Sequence, residues 1–335
     1  MINPPIVITM GEPAGVGPEL TVKAKKILKN KIPFYVIGDF SSLTSVAHSN
    51  QLETKKIEHY SETFKYPDKL CIFDYKVSEK VVPGQISLQN SRTIQKTIRL
   101  AVAKVIRKEA SAIVTNPINK WALKESGSFQ FEGHTDFLAA LDPFKKDSIM
   151  MLTNRNGFRV VPITVHIPLK EVSSKLNPKL VESTLVILNE SLKKDFKIKS
   201  PNILVTGVNP HAGENSIMGF EEKDVIAPVI VKLKKAGLNL VGPIAADTAF
   251  TKEKRSFFDA FVCAYHDQAL IPIKTLSFEE SVNITLGLSF IRTSPDHGTA
   301  LDIAGKNIAN PKSLILAIEE AHNIVSTRKK NVQKI

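Results

Sequence analysis

Along the chain, short apolar runs alternate with stretches in which apolar residues recur every three or four positions. Residues 5–10, 34–38, 70–74 and 112–115 are too brief for helices and end in turn residues, so they predict buried strands. Between them, residues 18–29 and about 90–109 have helical spacing. In the second of these, Ile94, Ile98, Ala101, Val105 and Ile106 share one face. Further helices are predicted over 178–192, 221–235 and 311–325, with Gly237 stopping the middle one. Strands that alternate with helices predict an α/β architecture with largely parallel sheets.

At 335 residues the chain exceeds a comfortable single core, and two lobes are expected. No internal repeat and no low-complexity linker marks the division. The clearest break is at Leu141-Asp142-Pro143.

Three histidines sit where apolar runs give way to turn signals. His166 follows residues 160–165 and precedes Ile-Pro. His211 follows 203–208 and precedes Ala-Gly, and His266 follows 260–265 and precedes Asp-Gln. Ligands of open α/β sheets bind outside the carboxyl ends of strands. Three imidazoles delivered there can hold one divalent metal with a position left open for substrate. Each histidine taken singly also reads as a satisfied structural residue, and their spacing does not establish that they converge. Asp247 and Asp267 are acids that either orient imidazoles or cap turns.

The segment GEPAGVGPE (11–19) has the form of a strand–turn–helix ligand loop, with Pro18 suited to the first helical turn. It lacks the dinucleotide fingerprint, because Leu20 stands where the third glycine would be, and it has no Gly-Lys-Ser/Thr. Lys274, Asn283 and Arg292 border apolar runs and suit a phosphate or carboxylate, although each alone reads as a surface residue. Thr135 or Asp136 is the expected N-cap of a helix carrying 137–141, with His134 just before it. Residues 296–306 form a polar, small-residue loop able to wrap a nucleotide with backbone contacts.

Charge narrows the picture. The formal net charge is +12, but the lysines are scattered over helix faces, as at Lys23, Lys25, Lys26 and Lys29. No basic stripe interleaved with aromatics marks a nucleic-acid binder. No apolar run approaches the roughly 18 residues of a membrane span. Residues 1–10 lack the pattern of a signal peptide. Cys71 and Cys263 lie in apolar runs and read as buried free thiols of a cytoplasmic protein.

Together these segments resemble the 4-hydroxythreonine-4-phosphate dehydrogenase family of pyridoxal 5′-phosphate biosynthesis. The resemblance rests on GEPAGVGPE (11–19), TNPINK (115–120), GHTDFLA (133–139), HIPL (166–169), NPHAGE (209–214), GP-x-x-ADT-x-F (242–250), YHDQALIPIK (265–274) and FIRTSPDHGTALDIAGK (290–306), in order along nearly the whole chain. The last segment, with Ala309-Asn310-Pro311 after it, is also similar to the nucleotide loop of isocitrate and isopropylmalate dehydrogenases. The chain departs from the family pattern at Ala269, Ala245 and Pro295.

The resemblance implies an isocitrate/isopropylmalate dehydrogenase-like two-lobed α/β fold, not a Rossmann fold. One lobe would comprise 1–142 with about 295–335 and carry both termini and the NAD loop. The other, about 143–294, would carry the metal ligands and dimer contacts. The implied activity is NAD- or NADP-dependent oxidation of 4-phosphooxy-L-threonine, with decarboxylation to 3-amino-2-oxopropyl phosphate. A sister branch oxidises other phosphorylated hydroxy acids such as 4-phospho-D-threonate.

By the same resemblance, His166, His211 and His266 bind one divalent metal (Zn, Mg, Mn or Co). His134, Thr135, Lys274, Asn283 and Arg292 bind substrate. His297, Gly298, Thr299, Ala300, Asp302 and Asn310 contact the dinucleotide. The base is unassigned, with Asp247 and a metal-bound water as the candidates. The implied assembly is a homodimer with its active site at the subunit interface and one metal ligand supplied by the partner, so that His266 is expected far from His166 and His211 within one chain. A phosphoacyl transferase or hydrolase of related fold is a competing class, and it would need neither NAD nor the three histidines.

Overall fold

The computed structural model describes residues 3–131, 133–144 and 147–332. Its strands, in chain order, are β1 (Ile6–Thr9), β2 (Phe34–Gly38), β3 (Thr54–Ile57), β4 (Leu70–Asp74), β5 (Ile113–Thr115), β6 (Ile149–Asn154), β7 (Arg159–Thr164), β8 (Asn202–Thr206), β9 (Asn239–Ile244), β10 (Ala260–Tyr265), β11 (Ser281–Leu286) and β12 (Arg292–Pro295). The chain divides into two compact units. The first is Met1–Lys146 with Leu288–Ser326, and the second is Asp147–Gly287 with Thr327–Ile335.

In the first unit the strand order is β3-β4-β2-β1-β5-β12, all parallel. β1 leads to β2 on one side, whereas β5 lies on the other, so the chain reverses its winding between β1 and β5. Loops leaving the carboxyl ends at such a switch point border the place where open sheets bind ligands. Those loops are residues 10–16 after β1 and 116–119 after β5.

The helices form where the spacing requires. Gly17–Leu28 starts with Pro18 in its first turn and ends with Lys25 and Lys26 in its last, a charge arrangement that complements the helix dipole. Ser91–Ile106 buries Ile94, Ile98, Ala101 and Val102 against Val7, Tyr35, Ile37 and Ile113 of the sheet. The short helix His134–Leu141 is anchored by Phe137, fully buried, whose ring meets Phe129 and Phe131 at 5.3 and 5.0 Å. Burying such a ring stabilises by about 1.5–3 kcal/mol. Truncating it to alanine would cost about 3–5 kcal/mol and release the helix.

In the second unit the order is β11-β6-β7-β10-β8-β9. β11–β6 and β6–β7 are antiparallel, and the rest are parallel. The β6–β7 hairpin turns at Asn154, whose Oδ1 accepts the N–H groups of Asn156 and Phe158, both at 3.0 Å. The core behind this sheet holds Leu152, Val160, Leu204, Phe261, Cys263, Ala269 and Ile273. Arg328 forks onto buried Asp195 at 2.6 and 2.9 Å, which fastens the end of the last helix to this unit.

Three elements depart from the sequence expectation. The helix carrying 137–141 begins at His134 with Gly133 as its cap, so Thr135 and Asp136 lie inside the first turn and cap nothing. The apolar run before Lys274 belongs to a helix, His266–Ser277, with Pro272 inside it. The region 221–235 opens with a wide π-type turn, Glu222–Ile226, before continuing as Ala227–Lys235. Among the described residues no helix is long and apolar enough to cross a membrane. Cys71 and Cys263 are free and buried.

Candidate active site

β10 lies between β7 and β8 and runs parallel to both, with Tyr265 opposite Thr164. Residues leaving β7 and β10 therefore emerge side by side. His166, two residues beyond β7, and His266, the first beyond β10, have ring centroids 5.7 Å apart. With metal–nitrogen bonds of about 2.1 Å and a tetrahedral angle, two imidazoles on one ion have centroids about 5 Å apart. The pair is within a small side-chain rotation of that geometry, so the donor set fits a divalent metal. His266 Nδ1 meets Asp267 Oδ1 at 2.7 Å. That contact orients the ring and leaves Nε2 as the nitrogen for a metal, since a metal-bound histidine commonly meets a carboxylate through its other ring nitrogen.

This placement corrects the expectation that His266 is remote from His166 in one chain, because the parallel register makes them neighbours. His211 is on the loop Pro210–Ser216 that follows β8, and it is exposed. Among the described residues, no three His, Cys, Asp or Glu side chains are grouped to hold a metal, so the three histidines do not close into one ligand set here.

The loop bearing His211 has an unusual backbone. His211, Ala212, Gly213, Glu214, Asn215 and Ser216 all have positive φ, from 39° to 82°. A left-handed conformation costs a residue with a side chain roughly 1–2 kcal/mol, and strain of this kind concentrates at functional sites. The Ala246–Thr248 turn lies against this loop and carries Asp247, which is exposed. Lys274 is half-buried two turns beyond His266 on the same helix, with its Nζ 5.5 Å from the Phe278 ring. Asn283 is half-buried on β11. Neither is the freely exposed residue that its sequence context suggests.

Arg292, in the first unit, departs further from that expectation. It opens β12 at only 3% exposure, and its Nε and Nη2 donate to Thr115 Oγ1 at 3.2 and 2.8 Å. Burial lowers its pKa to about 10, which leaves it a cation at neutral pH. His134 Nε2 is buried and has no hydrogen-bond partner among the described residues. Desolvation, then the charges of Arg292 and Lys120, hold this imidazole well below its ordinary range, so it is neutral. Thr135 follows in the same helical turn.

A buried cation, an orphaned ring nitrogen and the N-terminus of a helix together suit an anionic group. Lys120, the last residue of TNPINK, went unmarked as a site residue in the sequence. Its Nζ would be 3.5 Å from a Cβ placed on Gly133. A lysine that closes the loop after a switch-point strand was the signal for it.

The Gly-rich turn has a role beyond chain reversal. Gly11 has φ +74°, and a Cβ there would meet the Pro117 carbonyl oxygen at 2.5 Å. Val16 N–H donates to Thr299 O at 3.0 Å. On the helix that follows, Glu19 accepts the Gly305 N–H, and Lys23 Nζ donates to the carbonyls of Asn307 and Ala309, both at 2.8 Å. The turn and helix thus clamp the loop that carries His297, Gly298, Thr299, Ala300, Asp302 and Asn310.

In that loop Ala300, Gly305 and Asn307 have positive φ, and nothing would lie within 4 Å of a Cβ on Gly298. A fixed, backbone-lined loop with an open approach at glycine fits a dinucleotide. Glu12 lies in the same turn and also went unmarked. It is 1% exposed, burial raises its carboxyl pKa, and its Oε2 has no hydrogen-bond partner among the described residues.

Comparison with known proteins identifies the family. The family model described as pyridoxal phosphate biosynthetic protein PdxA matches residues 29–321. A 4-hydroxythreonine-4-phosphate dehydrogenase from Roseobacter denitrificans is 43% identical over 96% of this chain and 97% of its own length. One from Paracoccus denitrificans is 43% identical over 97% and 98%. The crystal structure of 4-hydroxythreonine-4-phosphate dehydrogenase from Klebsiella pneumoniae superposes with a TM-score of 0.85 at 36% identity, covering 96% of this chain and 99% of that one. The chain belongs to the PdxA family of pyridoxal phosphate biosynthetic proteins, and these relatives from Roseobacter denitrificans and Paracoccus denitrificans are named 4-hydroxythreonine-4-phosphate dehydrogenases.

Proposed function

We propose that this protein is a divalent-metal-dependent dehydrogenase, using NAD or NADP, that oxidises 4-phosphooxy-L-threonine and releases CO₂ to give 3-amino-2-oxopropyl phosphate. The observation that carries the reading is the His166–His266 pair at the ends of adjacent parallel strands, with Asp267 orienting one ring. His211 is the third proposed ligand. When bound, the metal would stabilise negative charge developing on the substrate's oxygen, and the dinucleotide would accept the hydride.

The protein's own groups bind and orient. Arg292, His134 and Thr135 form the anion-holding cluster of the first unit, and Lys274 and Asn283 are the polar candidates of the second. Neutral His134 contributes a hydrogen bond without a charge, while Arg292 supplies the charge. Asp247 is the proposed acceptor of the hydroxyl proton. It is an exposed carboxylate on the turn beside the His211 loop, with ample acceptor capacity. Decarboxylation follows from the product of oxidation, because a carboxylate β to a ketone loses CO₂ once the ketone oxygen is electrostatically stabilised.

A homodimer with its active site at the subunit interface completes the proposal. Leu169, Ile217 and Phe220 are exposed apolar residues on the segments that follow His166 and His211, the kind of rim a second subunit would cover. Zn, Mg, Mn and Co are all compatible with imidazole and oxygen donors.

The test is a substrate panel followed by NADH absorbance. 4-Phosphooxy-L-threonine should be turned over with a higher kcat/KM than 4-phospho-D-threonate or unphosphorylated 4-hydroxythreonine. A preference for 4-phospho-D-threonate would transfer the protein to the sister activity.

A further inference from the structure

We propose that Glu222 is a positioning residue for His211, holding the left-handed turn that presents this imidazole; the assignment rests on the metal reading above. Six consecutive residues of positive φ do not persist without an outside constraint, and Glu222 supplies it. The side chain is 4% exposed. Its Oε1 accepts the backbone N–H groups of Val208 and Asn209 at 2.7 and 2.8 Å. Its Oε2 accepts from Asn209 Nδ2 at 3.0 Å.

Both edges of the turn close on the same carboxylate. A Cβ on Gly207 would be 2.9 Å from Oε1, and one on Gly213 would be 2.7 Å from Oε2. Glycine at these two positions leaves room for the carboxylate inside the loop. Asn209 is fixed from its other side by Glu221 Oε2 at 2.7 Å, and Glu221 in turn accepts from the Ser173 hydroxyl. The stem of the loop is tied to the His266 helix by Gln268, whose Nε2 donates to Gly207 O at 2.9 Å and whose Oε1 accepts from Ala264 N at 2.7 Å. The wide turn at Glu222–Ile226 sets Glu222 at the start of its helix, facing the loop. A carboxylate that gathers backbone N–H groups in this way fixes where Asn209 and Pro210 go, and the next residue is His211.

The assignment makes a coupled prediction for metal-stripped protein titrated with Zn²⁺ against a chromophoric chelator. Glu222→Gln keeps the size but weakens the acceptor and brings an N–H₂ toward existing donors. It should weaken Zn²⁺ binding by about tenfold or more, in the range of substitutions behind metal ligands. It should also speed amide hydrogen exchange across residues 208–216 in the metal-free protein. Glu222→Asp keeps the charge and should recover part of the affinity, and it gives the same reading where Glu222→Gln does not fold.

In a His211→Ala background, Glu222→Gln should leave the residual Zn²⁺ affinity unchanged, since the residue it positions is gone. Wild-type affinity in Glu222→Gln, or an equal loss with and without His211, would overturn the assignment. Wild-type protein that binds no Zn²⁺ would overturn the metal reading itself, and this assignment with it.

Discussion

His134 shows how one residue reports on its surroundings. Its imidazole is desolvated and faces the positive charges of Arg292 and Lys120, so the folded state binds its proton less readily than the unfolded chain. Stability from this residue is therefore fully present above the ordinary histidine value of about 6.5 and falls as pH drops below it. Urea unfolding at pH 7.5 and 5.5 should show a loss in the wild type that is smaller in His134→Gln. An equal loss in both would mean the ring is not held neutral. The identity of this residue was legible in the GHTDFLA match. Its burial was not, because the expected cap at Thr135 or Asp136 lies two or three residues past the actual cap, Gly133. Likewise Arg292 sits in a run that gives no sign of near-complete burial, because its placement beside Thr115 on the neighbouring strand is not visible in the sequence.

At the scale of elements, tight loops decide where function sits. Gly11 combines positive φ with a clash against backbone, whereas Gly127 has φ +67° and open space around it. Gly127→Ala should cost only the left-handed penalty of about 1 kcal/mol. Gly11→Ala should cost that plus displacement of the 116–117 backbone, about 2–4 kcal/mol in all. Thermal melts of the two variants check the difference, and equal costs would contradict the close packing of β1 and β5 ends. The strands preceding the three histidines were legible because buried parallel strands read as continuous apolar runs. β6 and β11 were missed, since their antiparallel pairing joins segments far apart in sequence. The sequence of the helix His266–Ser277 reads as an apolar run because Pro272 interrupts its periodicity.

At the scale of the whole molecule, the open question is how three histidines serve one ion. Strand order, invisible in a single sequence, makes His166 and His266 neighbours in one chain, and His211 does not complete a ligand group with them among the described residues. If the partner supplies His211, a heterodimer of His211→Ala and His266→Ala subunits contains one intact set: His166 and His266 of the first with His211 of the second. Activity should reappear in verified heterodimers of these two inactive variants. Continued inactivity would count against a shared site.

The most direct test of the whole account is NADH formation from 4-phosphooxy-L-threonine by chelator-stripped protein, before and after divalent metal is restored. The account predicts loss of NADH formation on stripping and recovery on adding Zn²⁺, Mn²⁺, Mg²⁺ or Co²⁺. Full activity in protein shown to be metal-free would contradict it.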